Sequence, residues 1–294
     1  CFGALCAVAA VVLWAGYGFQ IQPYWHMVQS QLWDLETGHW AYLMGEFSTR
    51  GWWYYFPIAL LIKTPIATLF LVGAGLLPLL LRRKLRLEMG FLLIAPLVLV
   101  AGFVLGNSKN IGLRYILPIY PFLFLIAAHA EFPLRDRIRP WAAATLCAWY
   151  ALSTLSTHPH HLAYFNESVG GPANGHHYMV DSNLDWGQDL KGLKRYMDER
   201  DIDSVKLSYF GTVDPRLYDL RYEWLPSFIL PNPDPQQQVV LPADGLIAIS
   251  ATNLVGVYMD QYGHGRDIFA WLRRHQPIAH IGHSILIYDI PPNP

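Results

Sequence analysis

The sequence predicts a membrane-embedded α-helical bundle of about five transmembrane helices followed by a small extracytoplasmic α/β domain. Two observations point there. The 294 residues are 53% hydrophobic and only 15% charged, with a mean hydropathy of +0.22, a skew that water-exposed domains seldom show. The charges are also unevenly placed, gathering after His158, so the expected division is 1–157 for the helical part and 158–294 for the α/β part.

Five apolar runs, 2–19, 52–81, 89–106, 115–130 and 141–157, each approach the roughly 17–25 residues that a helix needs to cross a bilayer core. Pro57 and Pro65 interrupt the second run. Thr64 before Pro65 reads as a helix N-cap, which leaves residues 52–56 as an interfacial aromatic belt. Two basic clusters, Arg82, Arg83, Lys84 and Arg86, then Arg135, Arg137 and Arg139, fall on one side of this threading and mark it as cytoplasmic. The loop 20–51, the turn 107–114 and everything after His158 are then exterior. The chain enters an apolar run directly at Cys1 with no basic leader, so it reads as the distal part of a longer polypeptide.

In the second half, Asp185 with Gln188 forms a capping-box pattern ahead of an apolar stripe of Leu190, Leu193 and Met197. A strand at 205–210, a helical turn at 215–220, a buried strand at 246–250, a helix at 267–275 and paired strands at 278–281 and 284–290 complete a layered α/β domain.

Charge and composition remove several function classes. A net charge of -1 and a pI near 6.9 give no basic footprint for nucleic acid. Cys1, Cys6 and Cys147 all lie in apolar runs, so there is no disulfide framework. His158, His160, His161, His176 and His177 lack the spacing of a zinc site. Asp181, Asn183 and Asp185 open like a calcium loop, but Trp186 stands where glycine is required and Gly192 where the bidentate glutamate belongs. No metal site is predicted from these residues. Gly170, Gly171, Pro172, Asn174 and Gly175 read as a turn.

Three features invite a ligand. Lys63 lies in an apolar run, where an ammonium must snorkel, pair with an acid or meet an anion. Arg114 and Tyr115, near Lys109, stand where an exterior turn enters an apolar helix, which suits either a phosphate or a plain interfacial anchor. The run from Gly51 to Pro57, with Asp34, Glu36, His39 and Glu46 before it, suits a lipid-linked sugar or an aromatic belt beside solvated charges.

The order of Gly38-His39, Gly51-Trp-Trp-Tyr-Tyr-Phe-Pro57, Lys63-Thr-Pro65, Arg114-Tyr-Ile-Leu-Pro118 and Tyr120-Pro121 resembles the family 39 bacterial membrane glycosyltransferases of the GT-C type. These are relatives of protein O-mannosyltransferases and of the transferase that adds aminoarabinose to lipid A. His158-Pro159, Leu162-Ala-Tyr-Phe-Asn-Glu167, Gly170-Gly-Pro172 and Asp181-Ser-Asn-Leu-Asp-Trp-Gly-Gln-Asp189 are similar to the exterior tail of one branch.

The resemblance implies transfer of a hexose or pentose from a polyprenyl-phosphate-linked donor to a lipid, glycan or protein acceptor at the outer face of the bacterial inner (plasma) membrane. It implies Lys63, Arg114 and Tyr115 at the donor phosphate and His39, Trp53, Tyr54 and Tyr55 in the donor cavity. Asn166, Glu167, Asp181, Asn183, Asp185, Trp186, Gln188 and Asp189 are the tail-domain motif. In the family a carboxylate in the first exterior loop acts on the acceptor or assists a divalent metal. That loop is expected upstream of Cys1, so no catalytic residue is assigned and the chain alone is expected to turn over slowly or not at all. The competing reading is a non-catalytic, membrane-anchored module that binds a glycan or a partner.

Overall fold

The computed structural model describes residues 2–81, 87–106, 109–130, 139–234, 241, 244–263 and 265–292. Helices do form where the apolar runs lie: α1 (Phe2–Gly16), α3 (Tyr55–Lys63), α4 (Ile66–Leu81), α5 (Leu87–Gly106), α6 (Tyr120–Ala127) and α7 (Arg139–Leu155). The expected exterior loop after α1 contains a further helix, α2 (Gln22–Thr37), and a hairpin of β1 (Ala41–Leu43) and β2 (Glu46–Ser48).

The predicted transmembrane bundle is not what these segments build. Among the described residues no single helix is long and apolar enough to cross a membrane. Helices α3 and α4 reach that length only together, and they meet at 112°. The cause is local, because Thr64 is extended (φ −103°, ψ 135°) ahead of Pro65, which has no N–H to continue the ladder and disfavours helical backbone before it. Pro118 and Pro121 act similarly, leaving a seven-residue 3-10 turn (Leu113–Ile119) and the eight-residue α6 in place of one long span. With 15 and 17 residues, α1 and α7 also fall short. Arg82, Arg83, Lys84, Arg86, Arg135 and Arg137, which set the expected orientation, lie outside the described residues. Apolar side chains such as Phe70, Leu77, Phe91, Leu97 and Leu152 are nevertheless exposed on α4, α5 and α7.

The second half contains α8 (Leu190–Asp198), β3 (Val205–Ser208), β4 (Tyr222–Trp224), β5 (Gly245–Ser250), α9 (Ala251–Val255), β6 (Ala279–Ile281) and β7 (Ile285–Ile290). The strands form one mixed sheet in the order β4-β3-β5-β7-β6. β3 runs parallel to β4 and β5, and β7 runs antiparallel to β5 and β6.

Both faces of this sheet are covered. Ala248, Ile285 and Ile287 pack with Leu190, Leu193 and Met197, the stripe that makes α8 amphipathic. The alternating residues Ile247, Ile249, Leu286 and Tyr288 pack in one cluster with Tyr55, Phe56 and Ala59 of α3 and Ile116 of the following turn. That cluster runs straight across the expected division at 157/158.

Three local expectations are corrected. The capping box does not form, since Asp185 accepts from Gly187 N at 2.9 Å and Gln188 from Trp186 N at 2.7 Å, so α8 begins only after Asp189. The helix expected at 267–275 shrinks to a single turn at Leu272–Arg274. Strand β4 was not foreseen.

Asn183 ties the helical segments to the sheet domain. Its Nδ2 donates to the Tyr55 hydroxyl at 2.8 Å and the Val180 carbonyl at 3.3 Å, and its Oδ1 accepts from Leu113 N at 3.1 Å. At 1% exposure, no water can replace these partners. Asn183→Ala is therefore expected to destabilise the fold by about 2–4 kcal/mol, since each orphaned buried group costs about 1–3 kcal/mol. Denaturant unfolding checks this, and an unchanged midpoint would contradict the tie.

Candidate functional site

The bend after α3 leaves the carbonyls of its last turn without helical partners. Asn166 takes them up: its Nδ2 donates to Leu61 O at 2.6 Å and Thr64 O at 2.8 Å, and its backbone N–H donates to Ile62 O at 2.8 Å. Lys63, the last residue of α3, turns into the same corner. Its Nζ donates to Leu162 O at 2.9 Å and to Asn183 O, and it lies 4.3 Å from the Phe165 ring centroid. Burial pushes the Lys63 ammonium down to about 7, so its full charge is favoured when an anion enters beside it.

Lys63 lines a cavity of about 340 Å³. Arg114 lines it too, from the 3-10 turn, together with Leu117, Tyr120, Phe124 and Tyr164. The Arg114 guanidinium lies 5.2 Å from the Tyr115 ring and 5.4 Å from Trp186, positions that hold it by cation–π attraction. Among the described residues neither Lys63 nor Arg114 has a carboxylate in salt-bridge contact. The Thr64 and Tyr120 hydroxyls, 2.7 Å apart, add polar groups to a mostly apolar wall.

A carboxylate communicates with this cavity through Ser182, which lines it. Ser182 Oγ donates to Asp181 Oδ1 at 3.0 Å, and the Tyr258 hydroxyl donates to Asp181 Oδ2. Asp181 holds a left-handed backbone (φ 57°), uncommon for a residue with a side chain, and its N–H donates to Thr252 Oγ1 at 3.1 Å. Burial pushes the Asp181 carboxyl above its ordinary pKa, while the Tyr258 and Ser182 hydrogen bonds and nearby His39 pull the other way. The His39 ring stands edge-on to Tyr258 at 5.5 Å.

The residues named from the sequence therefore divide. Lys63 and Arg114 share one cavity, whereas Tyr115 packs beside Arg114 without lining it. His39 belongs to the Asp181–Tyr258 corner. Tyr55 is buried against Asn183, and Trp53 is exposed beside Tyr54. The tail motif is mainly a framework. Glu167 accepts from Trp149 Nε1 at 3.3 Å, and Asp189 accepts from Ser284 Oγ at 2.6 Å and pairs with His160 Nδ1 at 3.1 Å. Ser182 and Tyr258 were missed. Ser182 sits inside the recognised motif, but Tyr258 is 77 positions from Asp181 and its surroundings carry no motif.

The divalent metal that the resemblance allows finds no ligand set here, because no three His, Cys, Asp or Glu side chains are grouped for one among the described residues. In comparisons with known proteins, no family model, no curated protein and no solved structure matches the chain.

Asp185 is the most perturbed acid next to this site. It is 0% exposed and its Oδ2 has no hydrogen-bond partner. Burial, with help from the charges of Asp189 and Asp181, pushes its pKa up to about 8 against the hydrogen bonds from Gly187 and Ser250. A pKa raised in the folded state means stability that is complete at low pH and is lost as pH rises toward 8. Stability is expected to fall between about pH 4 and 8, by up to about 1.4 kcal/mol per pH unit, and Asp185→Asn is expected to flatten the decline. Thermal unfolding across that range measures it, and an identical slope in the variant would exclude Asp185 as the cause.

Proposed function

We propose that this chain carries the donor-phosphate pocket of a glycosyltransferase that uses a polyprenyl-phosphate-linked sugar. The observation that carries the reading is that Lys63 and Arg114 line one mostly apolar cavity and, among the described residues, neither has a carboxylate in salt-bridge contact. A lipid-linked sugar phosphate asks for that combination, since the phosphate needs donors and the isoprenoid needs an apolar wall. The exposed apolar residues of α4, α5 and α7 support a working position at a lipid surface.

In this reading an acceptor hydroxyl attacks the anomeric carbon, the bond from that carbon to the phosphate oxygen breaks, and the electron pair leaves with the polyprenyl phosphate. Negative charge grows on that phosphate as the bond stretches. The Lys63 ammonium, whose charge the incoming phosphate favours, and the Arg114 fork stabilise it. In place of the carboxylate expected upstream of Cys1, the Ser182 hydroxyl takes the acceptor proton and hands its own to the Asp181 carboxylate. Burial makes Asp181 a stronger base than an exposed aspartate.

Sugar transfer from a polyprenyl-phosphate donor tests the reading. Arg114→Ala and Lys63→Met are each expected to lower transfer by about 10²-fold or more, as loss of one charge-stabilising donor does. Transfer unchanged in folded Arg114→Ala protein would remove the reading. Asp181→Asn, which keeps acceptor capacity toward Tyr258, is expected to lower kcat by about 10²-fold or more and leave donor KM in place. A rise in donor KM with kcat intact would instead assign Asp181 to binding.

A further inference from the structure

A second cleft, of about 610 Å³, shares no lining residue with the Lys63–Arg114 cavity. One wall is the β1–β2 hairpin, with Tyr42 and Phe47 in contact at 5.3 Å between ring centroids. Asn174, His176 and His177 of the 3-10 turn 172–177 form another. Arg273, His275 and Gln276 precede β6, which contributes His280, and Leu254 and Val255 of α9 supply apolar surface. The walls are fastened to one another. The Tyr42 hydroxyl donates to His177 O at 3.0 Å, and Met44 N donates to Tyr178 O at 2.9 Å.

The Arg–Asp pair of this cleft is closed on itself. Arg273 is held by Val255 O at 3.0 Å and by Asp267 Oδ1 at 2.6 Å, so its cation has a counter-ion. Burial, with the neighbouring His177 and His280 rings, pushes the His176 imidazole down to about 4, and burial with His177 lowers His280. His176 is therefore neutral at pH 7. The His176 and His177 rings lie 4.0 Å apart and His280 6.3 Å from His176, yet they form no metal-holding group among the described residues. What remains is a surface of directional donors and acceptors from imidazoles, the Asn174 and Gln276 amides and a bonded ion pair, beside two aromatic rings.

We propose that this cleft binds a neutral saccharide. Sugar hydroxyls match paired donors and acceptors, and the apolar faces of a pyranose match Tyr42, Phe47 and Leu254. A free anion would find Arg273 already paired with Asp267. A purely apolar ligand would strip water from the imidazoles and amides without replacing their hydrogen bonds, at a cost that burial of its own surface must first offset. The volume lies inside the range of about 300–1,000 Å³ that holds small-molecule ligands. The site stands independently of the donor-pocket reading.

The test uses the full chain with isotopically labelled histidine, titrated with glucose, mannose, N-acetylglucosamine and cellobiose, and separately with inorganic phosphate. At least one sugar is expected to shift the His177 and His280 resonances saturably. His280→Ala and Gln276→Ala, both at exposed positions, are each expected to weaken binding by about fivefold, the size of one net neutral hydrogen bond. Lys63→Met is expected to leave this affinity intact, so the two cavities fail or stand separately. No shift with any of the sugars, or saturable shifts with phosphate alone, would overturn the proposal.

Discussion

Strand β5 sends Ile247 and Ile249 toward α3 and Ala248 toward α8, and this alternation obliges the protein to cover its sheet twice. Each fully buried isoleucine or leucine contributes about 1.5–3 kcal/mol, so leaving either face open would forfeit much of the core. The cover on one face is the amphipathic α8. On the other it is the apolar first half of the chain, through Tyr55, Phe56, Ala59 and Ile116. The helical segments are thus part of the same core as the sheet, and the polar contacts of Asn183 and Asn166 fix the register between them.

Fixing that register also assembles the site. Lys63 reaches the cavity because α3 is pressed onto the sheet and its last carbonyls are held by Asn166. Arg114 reaches it because the 3-10 turn packs on α3 and receives the Asn183 side chain at Leu113 N. Asp181 joins through Ser182, and its unusual backbone conformation is supported by Tyr258 and Thr252 from the segment after β5. A polar framework buried this deeply tolerates few unsatisfied groups, which explains why so much of the 166–189 motif bonds to backbone.

The sequence made some of this legible. The stripe Leu190, Leu193, Met197 marks α8, and short apolar runs mark β3, β5 and β7, because those patterns report on which side chains are buried. Lys63 and Arg114 stood out because cations in apolar surroundings need a reason. The span count misled. Hydropathy sums residues without regard to where proline interrupts the hydrogen-bond ladder, and Pro65, Pro118 and Pro121 turn long apolar runs into short helices. Apolar composition can also mean a sheet face waiting to be covered. Tyr258 and the second cleft were invisible, since both arise from segments distant in sequence, and β4 with only three residues carries too little pattern to register.

The sharp elbow between α3 and α4 creates a corner that apolar composition alone would not. A single proline after an extended threonine interrupts an otherwise uniform greasy stretch, and the interruption alone exposes carbonyls, admits an asparagine and gives a lysine a place to stand. A continuous rod of the same composition would offer nothing but a smooth flank. Chemical capacity at this corner is therefore a by-product of failed helicity, and mending the rod would erase it.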